Sequence, residues 1–404
     1  MKSTTKNILS VICFLSIFNI FYLTPVSIFS DLFLQLFSIY GVFLFFSKKL
    51  YLDKNIRLSF TVTLILISSS IISSYFNLHQ DIFSGIIASQ HIFKSFSVIT
   101  IYYWVASNKI QINFVFKSLV RICWIYTIIL SVASLTGYSF TFISPLSGKE
   151  LIVTANKYSK DILFLVQFYY IVLYFSSSKL INLLKFSLIF ISTQLYDIQR
   201  GDMIFLSLTL VFSLIIYRKK KSTLKFLALL PLFLVLVYII LGNNTEKSRL
   251  SEKFSQLTLV LDDEGKGKIE DASIFVRLNE IKIGLEGFFD HPISGNGLIR
   301  SSKQEELIGN VYFYPVDIGV YGVLYSFGII GILIFIYIFL RIITLKNKLL
   351  NVLQNTFFIF AFFILIYTFK DGYIIYNPSQ ILLCFLLINI LNFNNLKNND
   401  SRLQ

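Results

Sequence analysis

Between Asp317 and Arg341 the chain reads "IGVYGVLYSFGIIGILIFIYIFL", with no charged side chain anywhere in it. A helix needs about 20 apolar residues to cross the hydrocarbon core of a bilayer, and this stretch is long enough to do so. Comparable apolar runs recur near residues 8–24, 28–47, 57–76, 91–107, 113–136, 160–177, 180–196, 202–217, 223–241, 350–369 and 372–392. The expected fold is therefore all-α: a polytopic bundle of about twelve transmembrane helices. Composition supports this, since 14% of residues are charged and 55% hydrophobic, against roughly 25% charged in a soluble domain. A water-soluble chain this apolar would expose large adhesive patches.

The charge pattern sets an expected orientation. The net charge of +14 points to cytoplasmic loops rather than to nucleic acid. Lys48, Lys49, Lys54 and Arg57, then Lys109 and Lys117, Lys179, the run "YRKKKSTLK" (Tyr217–Lys225), and Arg341, Lys346 and Lys348 all fall in even-numbered turns. Both termini are then cytoplasmic. Lys2 and Lys6 precede an apolar run that is expected to remain as an uncleaved first helix, because further spans follow it. Cys13, Cys123 and Cys384 all lie in apolar runs, without C-x-x-C spacing, so neither a disulfide framework nor a metal site is expected.

The organisation is one membrane domain in three parts. Spans one to nine occupy 1–241, an extracytoplasmic loop 242–317, and the last three spans with a cytoplasmic tail 318–404. The loop from Glu246 to Asp317 contains 13 of the 22 acidic residues, which makes it too polar for hydrocarbon. Within it Ile274, Leu278, Ile281, Leu285 and Phe288 recur at helical spacing, predicting an amphipathic helix over about 273–290. Pro292 cannot continue that helix. Gly295 and Gly297 lack the third glycine and the preceding strand of a nucleotide-binding loop, so they mark a tight turn or a close backbone approach.

Several residues in the outward turns can do chemistry. Arg200, in "IQRGD", sits where a positive charge is disfavoured. It either pairs with Asp197 or Asp202 or clamps an anion, since a guanidinium forks onto phosphate oxygens. Arg277 lies beside the apolar stripe of the loop helix. It either forms a surface pair with Glu280 or points toward the bundle. His291 is the only histidine in the loop, His79 and His91 flanking a different outward turn. It is read either as a helix C-terminal cap or as a site residue. Arg300 is a further anion contact or a solvated charge. Asp317 is a helix cap or a proton acceptor.

"QRGD" entering a span, then "RLNEI" and "HPISGNG", then "DIGVYGVLYSFGIIGILIF" together resemble the O-antigen polymerase and ligase superfamily of bacterial envelopes. The resemblance implies a membrane glycosyltransferase acting on sugar chains linked to undecaprenyl pyrophosphate, at the outer face of the inner membrane, without nucleotide sugar, cofactor or metal. It implies Arg200 and Arg277 as pyrophosphate-binding residues. His291 and Asp317 become candidates for catalysis, and Pro292, Gly295 and Gly297 form the turn. The implied partners are the undecaprenyl-pyrophosphate-linked oligosaccharide, membrane lipids and a chain-length regulator protein, with no nucleic acid. Ligases of the family usually show a His-Asn pair just before this span, whereas the chain reads "VYFYPVDIG" there. The expectation is therefore a repeat-unit polymerase for O-antigen or capsule, with a ligase, or a flippase without chemistry, as the alternatives.

Overall fold

A computed structural model describes residues 3–18, 27–136, 140–143, 150–153, 160–196, 200–217, 272–309, 313–345, 351–372, 376 and 378–403. The helices, in chain order, are α1 (Ser3–Ile17), α2 (Ser27–Ser47), α3 (Lys54–Leu78), α4 (Ile82–Ala88), α5 (Gln90–Phe93), α6 (Ser97–Ala106), α7 (Ile112–Thr136), α8 (Lys160–Ser177), α9 (Leu180–Tyr196), α10 (Arg200–Tyr217), α11 (Ala272–Asp290), α12 (Gln304–Ile308), α13 (Val320–Thr344), α14 (Val352–Tyr367) and α15 (Ser379–Leu403). Each expected span overlaps one of these helices except 223–241, which lies outside the described residues.

Length and hydropathy qualify four of the described helices as membrane spans: Phe29–Ser47, Lys54–Leu78, Ile112–Ile129 and Val320–Thr344. A fifth is made if Ile82–Ala88 and Gln90–Ala106, bent by 54°, count as one. The remaining apolar helices of the bundle are shorter, such as Asp161–Ser177 and Val352–Tyr367. A short antiparallel hairpin interrupts the helical architecture, β1 (Phe140–Ile143) pairing with β2 (Glu150–Val153) in the register Phe140↔Val153 to Ile143↔Glu150.

The core is built from aromatic side chains of α1, α8 and α14. Phe14, Phe18, Phe168, Phe357, Phe360 and Phe363 are fully buried. Their rings meet at tilted angles, Phe18 with Phe360 at 5.5 Å and Phe168 with Phe363 at 5.4 Å between centroids. Such pairs add about 0.5–1.5 kcal/mol beyond their buried area. Cys13, Cys123 and Cys384 are all free and buried among these helices. A smaller cluster of Phe313, Ile318 and Tyr325, packed by Ile281, Ile283, Ile299 and Ile308, joins the loop to one end of the bundle. Helix starts are fixed locally: the Asp53 carboxylate accepts from the Asn55 and Ile56 amides at the head of α3, and Asn351 with Gln354 forms a capping box on α14.

Candidate active site

The loop helix α11 runs from Ala272 to Asp290, on the bounds the periodicity predicts, but it packs through a different face. Glu280 is only 4% exposed, and its Oε1 accepts the Tyr314 amide at 2.9 Å. One and two turns later come Gly284 and Gly287. A Cβ at Gly284 would lie 2.9 Å from Ile318 Cδ1, and one at Gly287 would lie 2.5 Å from Tyr325 Cε2. The helix therefore seats on the Pro315–Ile318 turn and on α13 through a carboxylate and two glycines. Of the expected apolar stripe, Leu278 is exposed and Ile281, Leu285 and Phe288 are half-buried, while the Ile274 side chain lies outside the described residues. Membrane helices commonly meet through small residues, because lipid tails satisfy apolar side chains as well as protein does.

That seating decides where Arg277 points. It is one turn before Glu280 and half-buried. Its Nη1 reaches the Asp317 backbone carbonyl at 3.4 Å, a long contact. Glu280 is engaged by the Tyr314 amide, so Arg277 leans toward the bundle. Asp317 is half-buried in a 3-10 turn, Pro315–Ile318, closed by its own amide on Tyr314 O at 2.9 Å. It is not the helix cap: the N-cap of α13 is Gly319, at φ 58°. A Cβ at Gly319 would meet the Phe369 carbonyl oxygen at 2.2 Å. The Gly372 amide donates to Val316 O at 2.8 Å, so the turn after α14 is tied to the turn carrying Asp317.

The segment His291–Arg300 locks this arrangement. Helix α13 is broken at Gly328, which takes φ 56° and ψ −150°. The freed backbone groups on both sides of the break are satisfied by the segment. Ile329 and Ile330 amides donate to Pro292 O and Ile293 O at 2.9 and 3.3 Å, while Asn296 and Gly297 amides donate to Tyr325 O and Ser326 O at 2.7 and 2.8 Å. The Asn296 side chain also donates to Gly287 O at 2.8 Å. Helix α3, with Gln80 just past its end, grips the other side with a polar stripe. Ser73 Oγ donates to Ser294 O, Asn77 Nδ2 to Gly295 O and Gln80 Nε2 to Leu298 O, while Ser70 Oγ accepts the Leu298 amide. Gly295 (φ 65°) and Gly297 (φ 77°) are needed here, because a Cβ at either would fall within 2.5 Å of backbone atoms of α13 or α3. His291 is half-buried at the end of α11, its amide on Gly287 O and its carbonyl accepting from Gly295.

Residues 186–336 match the family described as O-antigen ligase. That part of the chain is similar to the O-antigen polymerase and ligase superfamily. The match covers Arg200, the whole of α11, the His291–Arg300 segment, Asp317 and the broken part of α13. No curated protein matches the chain.

The two other candidate arginines sit differently. Arg300 is half-buried at the α3 side, its amide donating to Gln80 Oε1 at 2.9 Å. Nearby, Lys303 pairs with Asp81 at 3.1 Å, fastening the loop to the α3–α4 turn. The Ser84 amide and hydroxyl, then Lys303, hold the Asp81 carboxyl down at about 2. Arg200 is the first residue of α10, and its side chain lies outside the described residues. Phe205, further along α10, packs edge-on against Tyr367 at 5.7 Å. The start of α10 is thus at the end of the bundle where the α14 turn meets Asp317. The structure brings Arg277, Asp317 and the turn into one assembly and puts the head of Arg200's helix at the same end.

Three features were missed by sequence reasoning: the α3 stripe, the α13 break and the Asn296 bridge. The stripe was detectable, since Ser70, Ser73, Asn77 and Gln80 recur at helical spacing through the end of an apolar span and just beyond it. Gly328 carried no such signal, because glycine is frequent in membrane helices. Among the described residues no three His, Cys, Asp or Glu side chains converge as metal ligands.

Proposed function

We propose that this protein is a repeat-unit polymerase for O-antigen or capsular glycan, acting at the outer face of the bacterial inner membrane. The growing glycan leaves undecaprenyl pyrophosphate and joins a sugar hydroxyl of a new lipid-linked repeat, with inversion at the anomeric carbon. The observation that carries the reading is the position of Arg277, on a polar loop helix, half-buried and beside Asp317 at one end of an apolar bundle. A lipid-linked pyrophosphate has the matching shape, with a tail for the bilayer and a dianionic head for guanidinium groups.

In the transfer the acceptor oxygen bonds to the anomeric carbon as the bond to the pyrophosphate oxygen breaks. The electron pair leaves with the pyrophosphate, and the hydroxyl proton passes to a carboxylate, for which Asp317 is the candidate. Arg277, with Arg200 and Arg300, would stabilise the charge growing on the leaving group. Preorganised donors of this kind contribute about 2.7–4 kcal/mol each. His291 is the candidate for positioning substrate at the bend after α11.

A ligase that moves finished glycan to lipid A core is the second reading, favoured by the description of the matched family. The absence of histidine from "VYFYPVDIG" (311–319) favours the polymerase. A chromosomal deletion separates the two. Loss of a polymerase leaves a single repeat on the acceptor, and loss of a ligase leaves none. For the site itself, Arg277→Ala in the native host should abolish the long-chain ladder on a gel. A normal ladder at normal protein level would refute its role.

A further inference from the structure

The loop segment after α11 sits deeper in the bundle than an extracytoplasmic loop needs to. Its deepest contacts, at Ile329 and Ile330 on α13 and at Ser70 on α3, lie about two turns inside each helix. Two independent measurements of depth agree. Along α13, Ile329 is about 18 Å from Arg341, the first charge at the opposite end, at about 1.5 Å per residue. Along α3, Ser70 is about 20 Å from Arg57 by the same rise. With about 30 Å of hydrocarbon to cross, both contacts fall roughly 10 Å short of the nearer boundary, and any helix tilt deepens them.

The backbone of the segment is paired as such a depth requires. The carbonyls of residues 292, 293, 294 and 295 and the amides of 296, 297 and 298 are bonded to α3 or α13, and the carbonyl of 298 and the amide of 300 to Gln80, just past the end of α3. A loop in water has no need of this. Irregular backbone at membrane depth is tolerated only where protein satisfies it. The side chains that point away are apolar: Phe289 is 72% exposed and Ile293 69%. Ile293 is bonded through its carbonyl beside Ile329, and Ser294 beside Ser73. The exposed residues Ile329 and Leu333 of α13, and Ile72 and Phe76 of α3, flank those contacts and continue the same surface along two membrane spans. Further back on α11 the exposed face turns polar, with Lys282 and Glu286 paired at 3.9 Å. The exposed Asp290 limits how far the helix end sinks, so the immersed part is the bend around it and the turn beyond.

We propose that residues 289–300 are a re-entrant segment that dips into one leaflet, with Phe289 and Ile293 in contact with lipid acyl chains. The proposal stands on packing alone and holds whichever transfer the protein performs. The test uses the full chain in phospholipid nanodiscs, which expose both faces. Ile293→Cys and Phe289→Cys are spin-labelled, with Leu333→Cys as the span reference and Lys282→Cys as the water reference. The unsubstituted chain, whose three cysteines are buried, sets the background. Collisional relaxation is read with oxygen, which partitions into lipid, and with a nickel chelate, which stays in water. The expected result is an oxygen-to-nickel ratio at 293 and 289 close to that at 333 and severalfold above that at 282. A ratio like that at 282 would overturn the proposal. Low accessibility to both reagents would also overturn it, because it would mean burial against protein.

Discussion

Gly297 is pressed against Ser70: a Cβ on Gly297 would sit 2.3 Å from the Ser70 carbonyl oxygen, and its φ is 77°. Strain and collision therefore act together at this position. Gly297→Ala should combine a left-handed backbone cost of about 1 kcal/mol with an overpacking cost of about 1–3 kcal/mol. Gly309 provides the control, with φ 65° and nothing within 4 Å of its Cβ position, so Gly309→Ala should show the backbone cost alone. Thermal unfolding of the two variants in detergent checks this, with the larger drop in midpoint at 297.

Gln80 is the second point of attachment. Its amide donates to Leu298 O and its carbonyl accepts the Arg300 amide. Gln80→Ala leaves both backbone groups unpaired in a buried place, at about 1–3 kcal/mol for each unsatisfied group. Hydrogen exchange at residues 298–300 should accelerate in this variant while the far ends of the spans stay protected. Unchanged exchange there would show that the α13 contacts and the Ser70, Ser73 and Asn77 contacts of α3 hold the segment without Gln80.

The apolar helices were legible from their long apolar runs, though only four described helices, or five with the bent pair, are long and apolar enough to span a bilayer; the bounds of α11 were legible because Pro292 stops a helix whose apolar period is clear. The packed face of α11 was not legible. Periodicity selects Leu278, Ile281 and Leu285, while the close contact is made by Glu280, Gly284 and Gly287, and residue-type patterns rate a glutamate as surface. Asp317 illustrates a similar limit. An acid just before a span reads as a cap, yet Gly319 takes that position because the Phe369 carbonyl leaves room for nothing larger. The G-x-G pair was read as a turn or a close approach, and it is both. What it approaches depended on a helix break that leaves no mark in composition.

The Asp81–Lys303 latch gives a pH dependence of known sign. The Asp81 carboxyl is held at about 2, chiefly by its bond from the Ser84 amide, with the Ser84 hydroxyl and Lys303 adding to it. The ordinary value is about 3.9. A depressed carboxyl contributes stability that is fully present above the ordinary value and is lost as pH falls through about 2. The difference in unfolding midpoint between the parent and Asp81→Asn should therefore be constant from neutral pH to about 5, then shrink toward zero near pH 2. A difference that instead grows on acidification would contradict the arrangement.

Asp317 and Arg277 can be separated because they meet through backbone. Arg277 donates to the carbonyl of residue 317, not to its carboxylate, so Asp317→Asn leaves that contact available. If the carboxylate accepts the acceptor's proton, Asp317→Asn should cut the rate of chain extension by about 10²–10⁴-fold, the usual weight of general base catalysis. Binding of the lipid-linked donor should be unaffected. Arg277→Lys keeps the charge but loses the fork that grips two phosphate oxygens. It should weaken donor binding and slow transfer together, by up to about 10²–10³-fold in rate. Initial rates on purified lipid-linked repeats, with donor binding measured separately, distinguish the two patterns. Wild-type rates for Asp317→Asn would remove the carboxylate from the reaction while leaving the Arg277 prediction intact. A variant that bound donor poorly would show that residue 317 orients Arg277 through more than its backbone.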